Sequence, residues 1–149
     1  MIKAIIIDWG RTLWDNEKGV LFPGTREIIE YLKTKGYRLA VLSISPPERI
    51  DDKKKTIDAS GIKKYFEKVV VSTKKEKEDI DEIVKTLGLD YGEVMVIGDR
   101  IVREVKIANQ LGMKSVWLKQ GKFSEELPNE ETGNPTYTIF SLQELKSIL

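Results

Sequence analysis

The sequence predicts an α/β fold in three layers, a central parallel sheet of about five strands with helices on both faces. Three observations point there. Short apolar runs rich in β-branched residues alternate with stretches whose apolar residues recur at helical spacing. Those runs carry no internal polar residue, as expected for strands buried on both faces. The 149 residues have about the length of one domain, so a single unit over residues 1–149 is expected, with too few residues between elements for a second, inserted domain.

The first strand is Ala4, Ile5, Ile6 and Ile7, stopping abruptly at Asp8. An acid in that position sits at the carboxyl edge of the sheet, where open α/β folds place their ligands. Residues 13–23 form a connection with turn signals at Asp15-Asn16 and Lys18-Gly19, and Val20, Leu21 and Phe22 give it the character of a small hairpin. Pro23-Gly24-Thr25 opens a helix that buries Ile28, Ile29 and Leu32 and stops at Gly36. Residues 37–42 are the second strand and end on Ser43. Ser45 and Glu48 have capping-box spacing, predicting a helix from about residue 46 to Gly61.

Residues 68–71 form the third strand. Thr73 and Glu76 repeat the capping-box spacing ahead of the stripe Ile80, Ile83, Val84 and Leu87, which Gly88 closes. Residues 93–97 are the fourth strand and run into Gly98-Asp99. A helix marked by Ile101, Val105 and Ala108 follows, ending at Gly112, and residues 114–118 are the fifth strand. Residues 120–135, rich in Gly, Pro, Asn and Glu, read as a surface loop and as the most mobile region. Residues 137–140 supply a short edge strand before a last helix capped by Ser141 with Glu144.

Composition narrows the chemistry. With 33% charged residues and a net charge of +1, the chain has no field that argues for nucleic acid or membrane partners. No apolar run approaches the ~20 residues of a membrane span, and no secretory signal opens the chain, so a cytoplasmic protein is expected. Cysteine and histidine are both absent. That removes disulfides, thiolate sites and imidazole catalysis, and any metal must be held by oxygen, which favours Mg²⁺. The alternation places Asp8, Ser43, a lysine from residues 74–77, and Asp99 at ends of successive elements, hence on one rim of the sheet. Carboxylates beside a hydroxyl and an ammonium suit phosphoryl transfer.

The run IIIDWGRTL, residues 5–13, resembles the first signature of the haloacid dehalogenase-like superfamily: an apolar strand followed by D-x-D-x-T-L. Asp8, Thr12 and Leu13 match it. Gly10 stands where most phosphatases of that family carry a second aspartate, and Arg11 stands where glycine is usual. VMVIGDRIVREV, residues 94–105, resembles the fourth signature.

The resemblance implies a capless Mg²⁺-dependent phosphatase with Asp8 as the nucleophile that becomes phosphorylated. It implies Ser43 as the hydroxyl bonding the phosphoryl group, and Lys77, ahead of Lys74, as the neutralising lysine. Thr12 and Trp14 would face substrate, and Asp8, the Gly10 carbonyl, Asp99 and Glu104 would hold the metal. The implied substrate is a phosphorylated small molecule or protein. Because glycine cannot move a proton, and general acid-base help is worth about 10² to 10⁴ in rate, the missing aspartate leaves three outcomes open: slow turnover, a long-lived phosphoenzyme, or no turnover. The alternative is a regulatory module that binds Mg²⁺ and phosphate without turnover. Arg11, Asp15 and Glu17 are the residues near enough in sequence to replace the absent group.

A phosphorylated receiver domain is disfavoured, since the third strand ends on Val71-Ser72-Thr73 rather than an acid. No glycine-rich phosphate loop follows the first strand.

Overall fold

The structure is a computed structural model that describes all residues, Met1–Leu149. Six parallel strands form one sheet in the order β5-β4-β1-β6-β7-β8. They are β1 (Ala4–Ile7), β4 (Arg38–Ile44), β5 (Phe66–Ser72), β6 (Val94–Gly98), β7 (Lys114–Leu118) and β8 (Tyr137–Ile139). The expected edge strand is the sixth, pairing alongside β7 through Val116 and Tyr137. A separate antiparallel pair, β2 (Trp14–Asp15) and β3 (Val20–Leu21), is the predicted hairpin. The helices are α1 (Thr25–Thr34), α2 (Ile50–Ala59), α3 (Lys77–Leu87), α4 (Lys106–Gln110) and α5 (Leu145–Ile148).

β1 lies at the centre because its side chains serve two cores. Ile5 and Ile7 pack with Ile28, Ile29 and Leu32 of α1 and Ile57 of α2. Ala4 and Ile6 pack on the other face with Ile80, Ile83 and Val84 of α3 and with Ala108 of α4. Strand alternation sends neighbours to opposite faces, so a run without polar residues is what a doubly covered strand requires. Each fully buried Ile or Leu contributes about 1.5 to 3 kcal/mol. No helix is long and apolar enough to cross a membrane.

Three helix starts differ from expectation. Pro46 and Pro47 disfavour helical geometry in the residue before each. The chain therefore makes a 3₁₀ turn over Pro47–Arg49 before α2 begins at Ile50. The Ser45 hydroxyl donates to the Pro46 carbonyl at 3.0 Å instead of capping the helix. α3 begins at Lys77, its capping box formed by Glu76 and Asp79 rather than by Thr73 and Glu76. Residues Ile101–Val105 form a π-helical turn that leads into α4.

The loop over residues 120–135 is tied to the domain. Glu126 accepts hydrogen bonds from the Arg100 guanidinium at 2.9 and 3.0 Å and from the Ile101 N–H at 2.9 Å. Arg100 also lies 3.6 Å above the Phe123 ring.

Candidate active site

Register brings the predicted residues to one edge. Ile7 pairs with Val41 on one side and Ile97 on the other. Asp8 therefore emerges from the middle strand with Ser43 and Asp99 just beyond the paired positions of its two neighbours. The Asp8 N–H donates to the Ile97 carbonyl at 3.0 Å, which holds the loop close as it leaves the sheet. All three residues are buried. Thr12, also buried, donates from its hydroxyl to Asp8 Oδ2 at 3.4 Å, and the Ser43 hydroxyl makes no hydrogen bond within the chain.

The lysine of the site is Lys75, which corrects the ranking made from sequence. Its Nζ donates to Asp8 Oδ1 at 2.7 Å and to Glu104 Oε1, with the side chain only 5% exposed. Lys77, 60% exposed, pairs with Asp81 on the surface of α3, and Lys74 is exposed. The later helix start is the cause. With Lys77 opening α3 rather than lying inside it, the segment before the helix crosses the sheet edge and delivers Lys75. The spacing Glu76-x-x-Asp79 was the sequence signal for that start.

Glu104 is brought to the centre by two local features. The π-helical turn widens the backbone where a regular helix would carry the side chain onward, and the Arg100 N–H donates to Glu104 Oε2 at 3.1 Å. Gly98 provides the space, since a Cβ there would overlap Glu104 Cγ and Cδ. Both Glu104 oxygens are thus engaged, and this acid holds Lys75 in place.

Electrostatics distinguish the acids. Burial, then the neighbouring Asp8 and Glu104, push Asp99 up to about 7 from an ordinary 3.8. Burial likewise raises Glu104, against the pull of Lys75. Burial opposes the charge on Lys75, but the attraction of Asp8 and Glu104 outweighs it and raises the lysine. Asp99 Oδ2 is buried with no hydrogen-bond partner, an arrangement that is costly unless a cation or water meets it. No three acids already converge as a ready cation cage. An ion that keeps several waters and takes one or two carboxylates is the kind this oxygen set suits, and Mg²⁺ is such an ion.

Gly10 and Arg11 depart from the resembling pattern in opposite ways. Arg11 has φ of 63° and is the only residue other than glycine with a positive φ, so the position favours glycine and the arginine carries backbone strain. Above Gly10, where a side chain would project, lies the Asn16 amide; a Cβ at residue 10 would stand 3.0 Å from its Nδ2. Asp15 is unavailable as a substitute because its Oδ1 accepts the N–H groups of Glu17 and Lys18 in the hairpin turn, while Glu17 is exposed. Trp14 stacks on Trp9, with ring centroids 5.7 Å apart, and forms a wall beside the site. Sequence reasoning missed Asn16, Trp9 and the cations of α2, none of which belongs to a recognisable motif.

The fold and site together define an α/β protein whose acids, hydroxyl and lysine meet at the carboxyl edge of a parallel sheet. The profile described as haloacid dehalogenase-like hydrolase matches residues 1–118, and the chain belongs to that family. It is 32% identical to a glyceraldehyde 3-phosphate phosphatase of Methanocaldococcus jannaschii, over all of this chain and 69% of that protein. It is 31% identical to one of Pyrococcus abyssi, over 67% of this chain. The chain spans about half the length of the two Pyrococcus relatives, 43% and 53%. Among solved structures, a HAD phosphatase from Thermococcus onnurineus shares the fold with a TM-score of 0.83 at 18% identity, covering 99% of this chain and 97% of that one. An uncharacterized protein from Listeria monocytogenes has the same TM-score at 20% identity, covering 99% and 96%. Both of these matches run over nearly the whole of either chain.

Proposed function

We propose that the protein is a Mg²⁺-dependent phosphatase that works through a phosphorylated Asp8. The observation that carries this reading is the placement of Asp8 at the sheet edge, fixed by Lys75 at 2.7 Å and accompanied by a buried Asp99 oxygen without a partner. An Asp8 carboxylate oxygen attacks phosphorus, the bond from phosphorus to the leaving oxygen breaks, and an aspartyl phosphate forms. Lys75 and the Ser43 hydroxyl donate to the phosphoryl oxygens, and Thr12 orients Asp8. Water then attacks phosphorus, releasing inorganic phosphate and regenerating the carboxylate.

Asp8, Asp99 and the Gly10 carbonyl would hold Mg²⁺, with Glu104 reaching it through water. The ion, when bound, neutralises charge on the phosphoryl oxygens. No side chain at residue 10 can protonate the leaving oxygen, so that proton comes from solvent and turnover is slow for poor leaving groups. The substrate is a phosphorylated molecule. Glyceraldehyde 3-phosphate, the substrate for which the relatives are named, belongs to longer proteins and serves here as one candidate among small phosphate esters.

The test is release of phosphate from p-nitrophenyl phosphate. Activity that requires Mg²⁺ and disappears in Asp8→Asn, with a phosphoryl group mapped to Asp8 in rapidly quenched protein, supports the reading. Native protein that shows no Mg²⁺-dependent release rules it out.

The Asn16 amide over Gly10 favours a second reading, a module that binds Mg²⁺ and phosphate without turnover. Calorimetric binding of both, with activity appearing only on Gly10→Asp, would support it; fast native turnover would exclude it.

A further inference from the structure

A cleft of about 450 Å³ opens beside Asp8, between the β2-β3 hairpin and the start of α2. Its volume suits a small molecule rather than a polymer. The walls are Trp9, Trp14, Asn16, Ser45, Arg49 and Lys53. Four features of this cleft have no role in the chemistry described above.

Lys53 is half-buried and forms no ion pair, although it lies within electrostatic reach of Asp8, Arg11, Lys75 and Arg49. Burial pulls its pKa down, and the three other cations add to that, so the ammonium stands in a place that disfavours its charge. Arg49, one turn earlier on the same side of the helix start, is also without an ion-pair partner. Asp52, the acid on the same wall, pairs with neither. The Trp9 indole N–H is buried and has no acceptor, and the Asn16 amide faces the same space.

Charge counting gives these groups a purpose. Asp8, Asp99 and Glu104 carry three negative charges when ionised, and Lys75 with one divalent ion carries three positive charges. That centre is neutral, and a phosphoryl group arriving there is met by the Ser43 hydroxyl and by Arg11. Lys53, Arg49, the Trp9 N–H and the Asn16 amide, which line the cleft, are then surplus to a simple phosphate ester. The half-buried Lys53 and, at the exposed rim, Arg49 and the Asn16 amide are placed to meet an anion that enters the cleft.

The geometry points to a second anion-binding site in this cleft, selecting phosphate esters that carry another anionic group, a carboxylate or a second phosphoryl, close to the phosphate being removed. It rests on the reading of Asp8 as the point of phosphoryl attack. It goes further by distinguishing this chain's substrates from a neutral hydroxyaldehyde phosphate. Arg49, at the end of the 3₁₀ turn ahead of α2, and Lys53, in the first turn of α2, act as specificity residues, with Trp14 and Trp9 as the apolar wall for the intervening carbons.

Binding is measured on the Asp8→Asn protein with Mg²⁺ present, so that turnover does not enter. Glyceraldehyde 3-phosphate and 3-phosphoglycerate share one carbon skeleton and differ by a carboxylate. The acid is expected to bind at least about tenfold more tightly by calorimetry, as charge-assisted contacts imply. Lys53→Met or Arg49→Met, each added to Asp8→Asn, removes most of that preference by weakening the acid, and Lys53→Arg restores it. In a third arm, 2,3-bisphosphoglycerate binding more tightly than the monophosphate acid identifies a second phosphoryl as the better occupant, and weaker binding identifies the carboxylate.

Equal affinities for the aldehyde and the acid overturn the proposal. So does a Lys53→Met variant that weakens both alike, since that would make Lys53 a general phosphate contact. Absence of turnover in the native protein would strike the phosphatase reading alone and leave the affinity ratio to judge this one.

Discussion

Replacing Lys75 with methionine keeps most of the side chain's volume and removes its charge. In the metal-free protein this leaves Asp8 and Glu104 buried without the ammonium that both contact. Removing one partner of a buried pair costs about 3 to 5 kcal/mol, because the remaining charge has lost its compensation. Asp8 opens toward the cleft and water can reach it, so the lower end, about 3 kcal/mol, is expected. For a domain of this size each kcal/mol moves the melting temperature by about 2 to 4 °C, so the midpoint should fall by about 6 to 12 °C.

The loss depends on pH. Lys75 lowers the pKa of Glu104 against the raising effect of burial; without the lysine, Glu104 in the folded state moves further above its ordinary 4.5. A raised carboxyl carries no penalty below its unfolded value and the full penalty above its folded one. The difference from wild type is therefore largest near pH 8 and shrinks toward pH 4. Urea unfolding in EDTA at both pH values measures it, with Lys77→Met, on the surface, as the comparison whose effect should be far smaller. A loss at pH 8 below about 1 kcal/mol, or one that does not change with pH, would refute the argument that Lys75 neutralises buried acids.

Asp99, pushed up to about 7 in the fold from 3.8, should make the metal-free protein lose stability as pH rises from about 4 to 7. Asp99→Asn should abolish that slope in EDTA and gain about 1 to 3 kcal/mol at pH 8, while losing the stabilisation that added Mg²⁺ gives the native protein. Gly98→Ala forces Glu104 away from its position; a loss of about 1 to 3 kcal/mol should accompany a fall in phosphatase activity, both read on the same preparation. Arg11→Gly relieves the strain at φ 63° but removes a cation from the mouth. Unfolding should change by less than about 1 kcal/mol, whereas KM for phosphate esters should rise several-fold.

The strands were legible because each buried strand advertises itself twice, by an apolar run and by the polar residue that ends it, whereas their order in the sheet was not read from sequence. Asp8, Ser43 and Asp99 follow directly, since a strand terminus fixes where the next side chain sits to within a residue. Helix starts are another matter. Two overlapping capping-box spacings, Thr73 with Glu76 and Glu76 with Asp79, compete for the start of α3. Local sequence does not decide between them, because the choice depends on Lys75 being neutralised by Asp8 and Glu104, residues 67 and 29 positions away. A three-residue shift in the helix start changes which of the three lysines Lys74, Lys75 and Lys77 enters the core. Arg49 and Lys53 were hidden for a related reason: they line the cleft only once the two prolines have delayed the start of α2.

Gly10 ties these points together. A glycine beside a nucleophile would leave a gap open to water, but the hairpin turn held by Asp15 delivers the Asn16 amide over it. An amide can donate and accept hydrogen bonds without carrying a proton from one oxygen to another. The space is therefore polar and shaped, yet its amide cannot perform acid-base chemistry; under the proposed mechanism solvent would then be the proton source. Substrates whose leaving oxygen already tolerates negative charge should be favoured under that constraint. Under the proposed mechanism the cations lining the adjacent cleft would act in the same direction by favouring a leaving group that carries an anion.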